Sequence, residues 1–195
     1  MKRMEIVFIH GWGGSKKEYQ RIKNSIFKSR KNDVGFYEFE YKDNRGESSI
    51  DEITKEFHSF VEKSAISNNF IIIGISQGGI IARNYISKYS NKQVTKCFTV
   101  CSPHKGSLLA YTTNKRGAQD LRPKSPFLKG LEKAELKKKP RTIFYSVFTP
   151  FDLMVFPGWN AKFAKARKNI MVLSLAHPFA FNSKKTLSFI YKNLS

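Results

Sequence analysis

The chain has 195 residues, 41% of them hydrophobic and 17 of them Phe, enough for one domain with a sizeable core and too apolar for a disordered chain. No apolar run approaches the ~20 residues that span a bilayer. Lys and Arg number 35 against 15 Asp and Glu, a formal charge of +20 that speaks to association with anionic partners and not to fold.

The N-terminal MKRMEIVFIHGWGG has two basic residues and a short apolar run, superficially like a secretory leader. Glu5 interrupts the run and no small-residue cleavage site follows, so Glu5–His10 is read as the first strand. The glycines of His10-Gly11-Trp12-Gly13-Gly14 let the next loop curl and turn a backbone N–H inward. A degenerate phosphate loop is the other reading, but neither G-x-x-x-x-G-K-[ST] nor G-x-G-x-x-G is present. Lys16–Lys28, with Tyr19, Ile22, Ile26 and Phe27 on one side, has helical spacing. Gly35–Tyr41 reads as a second strand, and Ile50–Ile66, with Ile53, Phe57, Phe60 and Val61, as a helix.

The third strand, Phe70–Gly74, stops at Gly74-Ile75-Ser76-Gln77-Gly78-Gly79, after which Ile80, Ile81, Asn84 and Tyr85 resume with helical spacing. Ser76 is either a plain helix cap or a nucleophile on a strained strand-to-helix turn. The second reading requires small residues two before and two after the serine, and Gly74 and Gly78 supply them. The helix N-terminus would then direct its free N–H groups at developing negative charge.

Thr95–Cys101 is a fourth strand. Its two cysteines, four apart, would lie ~13 Å from each other, too far for a disulfide. Free thiols suit a reducing, cytoplasmic setting, and with no further ligand beside them no metal site is expected. Lys105–Arg141 carries eleven basic and three acidic residues and is too long for an ordinary connection. Short helices or a cap-like cover are expected, as a solvated insertion or as an element that meets substrate or partner. Its carboxylates, Asp120, Glu132 and Glu135, read as ordinary surface charge. Arg141–Thr149 and Ile170–Leu175 are the last strands, and Lys184–Leu194 is the final helix. Alternating strand and helix predict an α/β fold, an open parallel sheet with helices on both faces, in a single domain over residues 1–195.

A serine needs a base to take its proton and an acid to orient the base. Of four histidines, His10 reads as a structural group in its loop, His58 as helix surface or packing, and His104 as a brace. His177 follows the last strand, where a loop delivers it to the same sheet edge as Ser76. Among the carboxylates after Ser76, Asp152 alone sits in an apolar setting, FTPFDL, where a charge is costly unless paired. Pairing with His177 resolves that cost. The N–H groups of Trp12 and Gln77 are the natural oxyanion donors.

Together HGWGG, GISQGG, the Pro103-His104-Lys105-Gly106-Ser107 segment, Asp152-Leu153-Met154-Val155-Phe156-Pro157 and His177-Pro178 resemble the α/β-hydrolase superfamily, and within it the small bacterial lipases and esterases. The resemblance implies a minimal sheet of about six mainly parallel strands, without the two leading antiparallel strands of larger members. A basic insertion, residues 105–141, would lie between the fourth and fifth strands. It implies a triad of Ser76, Asp152 and His177, no metal or organic cofactor, and hydrolysis of a small-molecule or lipid ester through an acyl-enzyme. Trp12, Leu108, Leu109 and Phe127 are placed in the acyl pocket by neighbourhood. An esterase or thioesterase docking an acidic carrier protein, or acting at an anionic membrane surface, is the alternative that uses the charge. A non-catalytic binding protein on the same scaffold is a third. Specific nucleic-acid binding is not expected, because the basic residues are spread along the chain and no nucleic-acid-binding motif appears.

Overall fold

A computed structural model of the chain describes residues 3–30, 33–43, 45–67, 69–89, 94–137, 141–174 and 176–194. Six strands, β1 (Met4–Ile9), β2 (Val34–Phe39), β3 (Phe70–Ile75), β4 (Val94–Val100), β5 (Ile143–Phe148) and β6 (Lys168–Met171), form one sheet. Their order is β2-β1-β3-β4-β5-β6, and every neighbouring pair is parallel. β3, FIIIGI, is buried at every position, as a parallel strand covered on both faces must be.

Helices α1 (Gln20–Arg30) and α7 (Lys184–Lys192) cover one face. There Ile22, Ile26, Phe189 and Ile190 pack with Ile6, Phe8, Ile71 and Ile73 of the strands. The other face carries α2 (Ile50–Lys63), α3 (Gln77–Lys88) and α5 (Pro126–Lys137), whose Phe57, Tyr85, Leu128 and Leu131 pack with Val7, Ile9 and Ile72. The period-two alternation of β1 and β3 thus feeds both cores, each large side chain contributing about 1.5–3 kcal/mol on burial. α2 starts with a reciprocal cap, Ser49 and Glu52 each bonding the other's backbone N–H.

This topology creates a crevice. From β1 the chain crosses one face by way of α1 to the edge strand β2, then returns across the other face by way of α2 to β3. The loops leaving the carboxyl ends of the adjacent strands β1 and β3 therefore turn to opposite faces, the arrangement in which open α/β sheets bind ligands.

Three expectations are revised, and the helices of the basic segment are located. The first helix is split, a 3-10 turn over Lys16–Tyr19 leading into α1. The sixth strand begins and ends earlier than expected, because it is an edge strand whose outer side has no partner; Leu173 beyond it is 74% exposed, and Leu175 lies outside the described residues. The long basic segment contains a 3-10 turn (Leu108–Tyr111), α4 (Arg116–Asp120) and α5, the last being the crossover helix between β4 and β5; Lys138–Pro140 lie outside the described residues. Two of its carboxylates are not ordinary surface charge. Glu135 is 6% exposed and holds Arg83 through two bonds of 2.9 Å, while Asp120 accepts the Ile50 N–H at the start of α2 (2.8 Å). Among the described residues no helix is long and apolar enough to cross a membrane.

Candidate active site

Ser76 joins β3 to α3 with φ 51° and ψ −120°, a left-handed conformation that costs an L-residue about 1–3 kcal/mol. Its side chain makes no capping bond, so the plain-cap reading fails, while its N–H donates to Val100 O (2.8 Å). The flanking glycines are required by close backbone approach. A Cβ on Gly74 would lie 2.6 Å from Gly79 N, and one on Gly78 would lie 2.3 Å from Ile9 O. Neither obstacle is a movable side chain. Gly78→Ala is therefore expected to cost about 3 kcal/mol, read as a lowered urea midpoint; an unchanged midpoint would show that β1 and the turn can part freely.

The loop after β1 is fixed on several sides. Gly14 N–H donates to Gly11 O (3.1 Å) around Gly13, whose φ is 63°. Gly11 N–H donates to Glu18 Oε2 (2.8 Å), and Gly11 O accepts from Tyr41 Oη (3.0 Å). His10 stacks on Tyr41 at 4.3 Å and directs Nδ1 at Gly11 O (2.8 Å), the structural role expected of it. The Trp12 ring lies against Gly46, where a Cβ would come within 1.9 Å of it. With Gly11 and Gly14 so engaged, the Trp12 N–H has no hydrogen-bond partner among the described residues. The Gln77 N–H heads α3, where first-turn amides lack intrahelical acceptors. Tyr41 Oη also lies 3.3 Å from Gln77 Oε1. Since its one proton goes to Gly11 O, the contact is favourable with the Gln77 amide turned over and Nε2 donating.

Asp152 and His177 meet across 25 residues of sequence. Asp152, 1% exposed, accepts from His177 Nδ1 (2.7 Å) through Oδ2 and from the Met154 and Val155 N–H groups (2.9 Å each) through Oδ1. His177 opens a short helix, α6 (His177–Phe181), in place of the expected loop, and Pro178 in its first turn is the helix-start signal. Ser107 braces the acid turn: its Oγ donates to Met154 O and accepts from Phe156 N–H, both at 3.0 Å. Cys101, with φ 51°, lies beneath, and its Sγ, an Asp152 oxygen and a His177 nitrogen are all within 4.8 Å of one another. Three such donors could face a cation. Burial, and then the Asp152 charge, hold the thiol well above its ordinary pKa, and the thiol serves as a further donor to Asp152.

A cavity of about 190 Å³ brings together Trp12, Ser76, Gln77 and Leu109, with Met154 and Val155 from the acid turn on its wall. Residues of the basic segment also line it, Ala118 of α4 and Leu121 among them. Two of the residues assigned to the acyl pocket are not part of this lining. Leu108, next to Leu109 on a 3-10 turn, is 48% exposed outside the lining, and Phe127 lines a separate cavity with Asp51, Asn84 and Lys88. No hydrogen bond joins Ser76 to His177, and His177 does not line the cavity.

His104 is a brace with a defined proton. Arg83 Nη1 donates to its Nδ1 (3.1 Å), which leaves Nε2–H for Thr99 Oγ1 (2.9 Å), and its ring stacks on Phe163 at 4.6 Å. Burial, and then Arg83, hold its pKa well below the ordinary value. Below pH ~6.5 the unfolded chain takes up a proton that the folded chain refuses, so stability falls with acid from that pH downward. From pH 7 to pH 5 this residue is expected to cost about 2 kcal/mol, a loss absent from His104→Gln in paired urea titrations. Parallel losses in both proteins would show that His104 protonates in the fold.

The family model described as palmitoyl protein thioesterase matches residues 5–160. A search of curated protein sequences finds no match. Among solved structures, the mature lipase BlEst2 of Bacillus licheniformis is similar at TM-score 0.73 and 16% identity, over 99% of this chain and 92% of that one. A monoacylglycerol lipase of Paleococcus ferrophilus is similar at TM-score 0.69 and 13% identity, over 100% and 96%. Lipase B of Aspergillus fumigatus reaches TM-score 0.76 at 12% identity, over 98% of this chain and 52% of that one. The chain belongs to the palmitoyl protein thioesterase family, within the α/β-hydrolase superfamily of lipases, esterases and thioesterases.

Proposed function

We propose that the protein hydrolyses acyl esters and thioesters through a Ser76–His177–Asp152 triad and an acyl-enzyme. The observation that carries this reading is the buried 2.7 Å bond from His177 Nδ1 to Asp152, at the same sheet edge as a strained serine whose hydroxyl caps nothing. With Nδ1 as donor, His177 Nε2 is the acceptor for the Ser76 proton. Ser76 Oγ attacks the acyl carbonyl, and the Trp12 and Gln77 N–H groups stabilise the oxyanion. His177 returns the proton to the departing alcohol or thiol, then takes one from water as its oxygen attacks the acyl carbon, and gives it to Ser76 Oγ as the acyl bond breaks and the acid leaves. The serine–histidine bond forms in this scheme when substrate binds, as apo sites commonly leave it long.

The rim of the Ser76 cavity supports an acyl-chain or lipid substrate. Leu109 and Met154 line the cavity and are themselves 40% and 54% exposed, beside the exposed Leu108, Leu153 and Phe156. Exposed apolar clusters of this kind mark contact with lipid or protein. The +20 charge favours delivery from an anionic surface, and the family resemblance keeps a thioester on an acidic carrier protein as the second reading. Buried free cysteines suit a reducing, cytoplasmic setting. The test is hydrolysis of p-nitrophenyl esters and acyl-CoA thioesters from short to long chains, at low and high salt. Turnover rising with chain length supports the reading. No turnover with any acyl donor would sink it and bring a non-catalytic binding role forward.

A further inference from the structure

A cavity larger than the one at Ser76 lies elsewhere among the described residues. A space of about 580 Å³, within the ~300–1,000 Å³ range of small-molecule sites, opens between α5 and the chain around residues 160–165. It shares no lining residue with the Ser76 cavity. The two lie on either side of one loop, Pro103 and Ser107 facing the first and His104 and Lys105 facing the second.

Its lining is cationic. Lys105, Lys124, Lys129, Lys162 and Lys165 surround it. Lys105, Lys124 and Lys129 have no carboxylate within ion-pair distance among the described residues. Of the two carboxylates in the lining, Glu135 is already held by Arg83 at 2.9 Å and approached by Lys165 at 3.4 Å, which leaves Glu132 alone against the remaining lysines. Leu128, Phe163 and Pro123 form apolar wall, which focuses the field of the lysines into the space. Lys124 also adopts φ 62°, a conformation in which glycine would be cheaper by about 1 kcal/mol. The turn that carries it is braced on Gly106, where a Cβ would lie 2.5 Å from Pro123 N. A strained lysine is thus held at the mouth of a cavity already crowded with positive charge.

We propose that this cavity is a second ligand site, for a multiply charged phosphate group carried either by a soluble molecule or by a lipid head group. Several lysines act on phosphate as point charges, and a polyanion relieves their mutual repulsion. The site stands independently of the chemistry assigned to Ser76.

The test is calorimetric titration of the full chain with inorganic pyrophosphate. One saturable equivalent is expected, weakened about tenfold or more in Lys124→Glu/Lys129→Glu. Lys185→Glu/Lys192→Glu on α7, with the same net charge, should stay within about twofold of the parent. Lys124→Gly separates binding from folding, because it should bind more weakly yet melt at a higher temperature. Co-sedimentation with phosphatidylcholine vesicles, with and without phosphatidic acid and with pyrophosphate as competitor, assigns the source. Capture that needs phosphatidic acid and yields to pyrophosphate indicates a head group, and pyrophosphate binding without capture a soluble ligand. Absence of saturable binding, or equal loss in both charge-reversed proteins, would overturn the proposal.

Discussion

Ser76→Ala is expected to lower kcat by about 10⁶-fold on any acyl substrate the protein turns over, while leaving its unfolding free energy in urea titration within about 0.5 kcal/mol of the parent. The two parts have separate causes. The Ser76 hydroxyl makes no bond that holds the fold, since it does not cap α3, and Ala keeps the same strained backbone. On the proposed mechanism the oxyanion donors and the base remain in place but have no nucleophile to serve. Ser76→Gly should be equally inactive yet more stable by about 1 kcal/mol, because glycine relieves a φ of 51°. Residual turnover above a few per cent in either protein would mean that another group performs the attack.

The second large effect is expected at Asp152. Asp152→Ala leaves the His177 Nδ1–H and the Met154 and Val155 N–H groups without their acceptor in a buried place, so kcat should fall about 10⁴-fold and stability by about 3 kcal/mol. Asp152→Asn separates the two losses. Its Oδ1 still accepts from Met154 and Val155, but the amide NH₂ now faces His177 and favours the tautomer with Nδ1 as acceptor. That places the ring proton on Nε2, where it can no longer receive one from serine. The expected outcome is a similar loss of kcat with most of the stability retained, measured by ester hydrolysis and urea titration on the same preparation. If Asp152→Asn kept full activity, His177 would not need this partner for its proton transfer.

Much of this arrangement was legible from local rules. Parallel strands buried on both faces leave nearly continuous apolar runs, and Phe70–Ile75 is one. The strand-to-helix turn at Ser76 declares itself through Gly74 and Gly78, because only a residue without Cβ fits against the Gly78–Gly79 and Ile9–His10 backbone. The loneliness of Asp152 among apolar residues pointed to a paired, buried carboxylate. Long-range partners were less visible. Tyr41 and Glu18 fix the Gly11–Gly14 turn, but Tyr41 reads as the end of a strand and nothing in the sequence ties Glu18 to the loop before it. Glu135 sits in a lysine-rich run that reads as a solvated face, and its partner Arg83 is 52 residues away. Leu108 and Phe127 show the converse: nearness in sequence to the site did not decide which way a side chain faces.

The proposed chemistry needs a nucleophilic serine activated by a remote base, and one labelling experiment addresses both. The protein would be treated with an alkyl fluorophosphonate, digested, and the modified peptide located by mass spectrometry. The predicted result is a single adduct on Ser76, formed rapidly in the parent and at least about 10³-fold more slowly in Asp152→Asn. An adduct on a different serine, or none under conditions that preserve the fold, would contradict it.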